Sequence, residues 1–153
     1  MSGAGTCGWR RLLPVCLTSA GLLLGACAPT GTPSQRAAAW ASASGVAALD
    51  AQLRADLAAI ARGRRLGLLV ATRTECDGLA TDAADAEGEL PAPDAAVTSD
   101  LNAAYLGYVR AAQACSQAPS LRSPAFARYD ALVRAASAHL EAGERRLADL
   151  GVG

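Results

Sequence analysis

Between residues 34 and 150, apolar side chains recur at alternating steps of three and four, in four blocks separated by glycine or proline. A period near 3.6 lines such residues along one face of an α-helix, whereas a strand demands a period of two. The first block follows Pro33, with Ser34 as its cap, and carries Val46, Leu49, Leu53, Leu57 and Ile60. Asp50 and Arg54 form a favourable i,i+4 pair on it, and Gly63 marks its stop or a kink. The second block, residues 64–87, has the stripe Leu69, Thr72, Cys76, Leu79, Ala83 and Ala86. Its charges oppose the helix dipole, with Arg64, Arg65 and Arg73 at the start and Asp82, Asp85 and Glu87 at the end. Leu90-Pro91-Ala92-Pro93 breaks the chain.

The third block, residues 94–117, places Val97, Leu101, Ala104, Tyr108, Ala112 and Cys115 on one face and ends before Pro119. The fourth begins with Ser123 as cap and Pro124 in the first turn. Phe126, Tyr129, Val133, Ala136, Leu140, Gly143, Leu147 and Leu150 then repeat as a heptad. Four helices with short connections predict an all-α domain, an antiparallel four-helix bundle. Hydrophobic residues make up 52% of the chain but aromatics only 4%, so these helices should approach closely rather than enclose a thick core.

The first 27 residues have a different character. Arg10 and Arg11 precede an apolar run at residues 15–26, with Leu17, Leu22, Leu23 and Leu24. Those twelve residues are too few to span a hydrocarbon core that needs roughly 20. They match the apolar region of a signal peptide. The run ends in Leu24-Gly25-Ala26-Cys27, which resembles the lipobox of bacterial lipoproteins: an apolar residue, two small ones, then cysteine. That resemblance implies cleavage before Cys27 and lipid on its sulfur. An ordinary secretory signal with a chance cysteine is the competing reading. The domain plan is then a signal peptide over residues 1–26, a lipidated cysteine and Pro/Gly tether over 27–33, and the bundle over 34–153.

Of the five cysteines, Cys7 and Cys16 leave with the signal peptide and Cys27 carries lipid. Cys76 and Cys115 remain, in a compartment where a disulfide persists, and neither has a Cys or His neighbour at metal-ligand spacing. A straight, level hairpin over residues 64–117 would hold these two cysteines about 15 Å apart along the axis. A bridge therefore requires a late start of the third helix or an offset between the second and third.

Candidate chemistry is sparse. His139 is the only histidine, and no nucleophile accompanies it. Tyr105 and Tyr108, with Trp40 and His139, are the candidates for lining a pocket for a small apolar ligand of lipid or haem type. Tyrosine at heptad spacing is more often core. Asp82, Asp85 and Glu89 share a helix face but lack calcium-loop spacing, so no metal site is expected. Arg62, Arg64 and Arg65 form a cluster suited to anionic headgroups, or simply a solvated helix end. The chain contains no lysine, which excludes Schiff-base and Walker-type chemistry. Without Arg10 and Arg11, twelve arginines face fourteen acids, a balance that gives no electrostatic case for nucleic acid.

Beyond the lipobox, the chain resembles small exported proteins of GC-rich actinobacteria, through Cys76, the Pro91-Ala92-Pro93 break, Tyr108 and Cys115. That likeness implies no catalytic residue. The expectation is a non-enzymatic protein without cofactor, held to the outer face of the cytoplasmic membrane by lipid on Cys27 and acting on a protein or envelope partner. A carrier or sensor for a small apolar ligand is the alternative. The carrier predicts a cavity at Tyr105 or Tyr108; the interaction protein predicts a filled bundle with an exposed apolar patch.

Overall fold

The computed structural model describes residues 31–152. The expected signal peptide, the lipobox-like residues 24–27 and Cys27 itself lie outside the described residues. The described chain is all-helical, with α1 Pro33–Ser44, α2 Val46–Arg65, α3 Leu69–Gly88, α4 Ala95–Ser116 and α5 Pro124–Asp149. Five helices therefore replace the four expected. The first expected helix is two, divided at Gly45, whose φ of 65° is left-handed and which both ends α1 and begins α2. The run 37–43 is mostly alanine and carried no periodic break to betray the division.

Capping explains the boundaries. Thr32, not Ser34, caps α1: its hydroxyl accepts from Gln35 N while the Gln35 side chain accepts from Thr32 N, a reciprocal box. Asp94 accepts from the backbone N–H groups of Ala96 and Val97 at the start of α4, and Ser123 accepts from Ala125 N at the start of α5.

The second boundary also moves. α2 runs through Gly63 to Arg65, and the chain turns at Leu66-Gly67-Leu68, with Gly67 at φ 75°. Arg62, Arg64 and Arg65 thus occupy the last turn of α2, where the dipole favours cations. The opposition expected at the start of the next helix shrinks to Arg73. Gly63 stays glycine for a packing reason: a Cβ there would lie 2.6 Å from Thr72 Oγ1 on α3.

Packing follows chain order, with contacts between α2 and α3, α3 and α4, and, most extensively, α4 and α5. The expected stripes supply the core: Leu53, Ile60, Cys76, Leu79, Val97, Leu101, Tyr108, Phe126, Tyr129 and Leu140 are all buried, and Tyr105, outside the expected stripe, joins them. Every buried apolar side chain lies between Ala37 and Leu147, so a chain starting at Gly31 carries this whole core. Close approach of α4 and α5 depends on small residues. A Cβ on Gly107 would meet Ala136 Cβ at 2.8 Å, and one on Gly143 would meet Leu101 Cδ2 at 2.7 Å.

Cys76 and Cys115 form a disulfide, with Cα atoms 6.0 Å apart. Twelve residues separate Cys76 from the end of α3, whereas twenty separate the start of α4 from Cys115. The difference of eight residues corresponds to a stagger of about 12 Å along the axis. Of the two layouts that allow the bridge, the offset is the one adopted, since α4 begins early, at Ala95. The segment 89–94 takes up the offset at one end, with Ala92 buried. α1 closes that end: Ala37 is buried, and Trp40 Nε1 donates to the Glu89 carbonyl at 3.2 Å.

Gly107→Ala should destabilise the protein by about 1–2 kcal/mol in chemical denaturation, because Ala136 Cβ has no rotamer to escape into. Gly78→Ala, in the middle of α3 with nothing within 4 Å of the added methyl, should stabilise it by about 0.5–1 kcal/mol.

Candidate functional site

The aromatic pocket of the alternative, carrier reading is not what the side chains build. Tyr105 and Tyr108 are both 1% exposed. The Tyr105 hydroxyl donates to Asp50 Oδ1 at 3.1 Å, and the Tyr108 hydroxyl pairs with Ser137 Oγ at 3.0 Å. Each tyrosine therefore satisfies its polar tip across a helix interface and acts as core. His139 is half-exposed, with Nδ1 3.8 Å from Asp100 Oδ1, and Arg146 Nε donates to the other oxygen of Asp100 at 2.6 Å. Trp40 is occupied by Glu89. The four candidates do not converge.

The acidic residues are also dispersed. Asp85 and Glu89 are exposed. Asp82 lies against Asp56, a buried acid on α2 that spacing did not single out. Gln52 donates to Asp56 Oδ1 at 3.0 Å, while Asp56 Oδ2 is buried without a partner. Burial and the nearby Asp82 carboxylate push the Asp56 carboxyl up, favouring its protonated form. Among the described residues, no group of three or more His, Cys, Asp or Glu side chains could hold a metal ion.

A recess of about 520 Å³ lies instead between α1, α2 and α5. Ala38, Ala41, Val46 and Leu147 line its apolar walls, and Asp50 and Glu144 supply its carboxylates. Glu144 is paired with Arg54, and Asp50 is held from behind by Tyr105. Burial raises the Asp50 carboxyl to about 6, against the Tyr105 hydrogen bond, which lowers it.

The opposite end has another chemistry. Leu66 is 64% exposed, Leu68 49% and Val70 79%, the most exposed large apolar side chains described. They sit at the α2–α3 turn beside Arg62, Arg64 and Arg65. Arg64 is anchored: its guanidinium bonds both oxygens of Asp130, at 2.6 and 3.2 Å, and lies 4.7 Å from the Phe126 ring centroid. Arg73 Nε donates to the Ser116 carbonyl at 2.6 Å. Arg62, Arg65 and Arg122 are exposed and enter none of the ion pairs found among the described residues. The sequence flagged the arginines. It did not flag the leucines, whose exposure depends on where α2 stops.

No protein-family model, curated protein or solved structure matches the chain.

An acid whose folded pKa lies above its unfolded value of 3.8 contributes stability that is complete below that value and lost as pH rises through about 6. The melting temperature should therefore rise as pH falls through about 6 toward 4. Asp50→Asn, which keeps an acceptor for Tyr105, should remove a share of that rise on the order of 1–3 kcal/mol. A wild-type melting temperature that falls over this range would contradict the assignment.

Proposed function

We propose that this chain is exported, cut before Cys27 and held by lipid on the outer face of the cytoplasmic membrane, where it acts without catalysis through contact with the cell envelope. In this reading α2 to α5 form an antiparallel four-helix bundle and α1 closes the end nearer the tether. The observation that carries the interaction role is the apolar patch Leu66, Leu68 and Val70, set among arginines on an otherwise filled core. What supports the address is the Leu24-Gly25-Ala26-Cys27 pattern behind Arg10 and Arg11. No helix of the described residues is long and apolar enough to cross a membrane. The tether, residues 28–33, reaches at most about 20 Å.

A small-ligand carrier keeps one specific observation in its favour, the recess beside Asp50. Its lining moves from the tyrosines to Ala38, Ala41, Val46 and Leu147.

Both readings meet in the mass of the protein extracted from its native membrane. The denatured mass should correspond to a chain beginning at Cys27 plus lipid, two hydrogens lighter for the disulfide. An unmodified chain retaining residues 1–26 would end the lipoprotein reading. Under gentle conditions, an added small molecule would favour the carrier, and an added protein the interaction role.

A further inference from the structure

We infer that the α2–α3 turn is a docking tip for an anionic lipid surface, with Leu66, Leu68 and Val70 entering the interface and Arg62, Arg65 and Arg122 meeting the phosphates. The inference rests on the interaction role proposed above but not on lipid at Cys27.

Shape comes first. Arg73 is level with Ser116, the last residue of α4, because their hydrogen bond is 2.6 Å long. The disulfide one turn further on holds that register. The turn at residues 66–68 therefore lies beyond the last turn of α4. Gly67, at φ 75°, makes the turn tight, and its neighbours Leu66 and Leu68 point outward instead of folding back. Thr72, the first fully buried residue of α3, ties its hydroxyl to the Leu68 carbonyl at 2.8 Å and so braces the turn.

Charge comes second. Arg62 and Arg65 stand on the last turn of α2, and Arg122 lies in the α4–α5 connection at the same end, where Leu121 lines a recess with Arg64 and Arg65. Asp130 is taken by Arg64, while Glu75 and Asp77 stand five and seven residues beyond Val70 on α3, Asp77 in the recess containing Val70 and Arg73. At the tip itself, cations surround apolar side chains.

This order, apolar at the apex and guanidinium groups around it, matches a bilayer, where hydrocarbon lies beneath a phosphate layer. Guanidinium groups bind phosphate oxygens in a bidentate fashion and hydrate weakly, which suits that depth. A protein partner fits less well. Three protruding side chains fall far below the roughly 800 Å² per partner of a stable protein interface. A soluble phosphate polymer would use the arginines but leave the leucines in water.

The test is sedimentation of residues 31–153 with vesicles of phosphatidylcholine, with and without phosphatidylglycerol. Binding should require phosphatidylglycerol and weaken with salt. Arg62→Gln and Arg65→Gln should each lower the partition coefficient about fivefold, as expected for one cation near such a surface. The double variant Leu66→Asp/Val70→Asp should abolish binding while keeping its circular dichroism and melting temperature, since both positions are exposed. Arg145→Gln, near the opposite end of α5, should bind as wild type. Equal binding to neutral vesicles would overturn the inference. So would binding that survives Leu66→Asp/Val70→Asp, or wild-type protein that remains in the supernatant of every vesicle. None of these results bears on lipid at Cys27, which the extracted mass reads separately.

Discussion

The Cys76–Cys115 bridge sets the axial position of α3 against α4, and both ends of the molecule follow from that position. With the Cα atoms 6.0 Å apart, α4 must extend about eight residues further than α3 at one end. The space left beside the short end of α3 is filled by the 89–94 segment and α1, through Ala92, Ala37 and Trp40. At the other end the same offset pushes the α2–α3 turn past α4 and leaves Leu66, Leu68 and Val70 in solvent. By a chain-entropy estimate, closing a loop of this length contributes about 4 kcal/mol. The α4–α5 contact, by contrast, is set by Gly107 and Gly143, whose missing side chains let the helices approach.

Much of the fold was legible because periodicity reports burial directly. The stripes of α3, α4 and α5 contain nearly all of the buried residues of those three helices, from Thr72 and Cys76 to Phe126 and Leu140. Punctuation was harder to read. Gly45 and Gly63 are both glycines in helical surroundings, yet one breaks the helix and the other continues it. The difference lies in tertiary structure: Gly63 faces Thr72 across a tight α2–α3 contact, whereas Gly45 meets nothing within 4 Å. Residue type alone carries no such information. The staggered disulfide was partly visible, since level hairpin arithmetic already contradicted a bridge.

The candidate site was less legible. Tyr105 and Tyr108 suit a core or a pocket, and only the positions of Asp50 and Ser137 decide for the core. His139 sits at the margin of the α5 stripe and ends in solvent beside Asp100. The arginines at positions 62, 64 and 65 were conspicuous, but placing Arg64 and Arg65 at the start of the next helix disguised their meaning. As the last turn of α2 they are favoured by its dipole, and Arg64 is further held by Asp130 and Phe126. Arg62 and Arg65 are exposed and enter none of the ion pairs found among the described residues.

The central claim is that the bridge holds a stagger on which both ends depend. Hydrogen exchange of the oxidised and reduced protein, resolved by segment, tests it most directly. The account predicts that reduction accelerates exchange in α1, in residues 89–94 and in the first turns of α3, while residues 101–112 and 136–147 keep their protection. Unchanged exchange at both ends after reduction, or a loss spread evenly over all five helices, would contradict it.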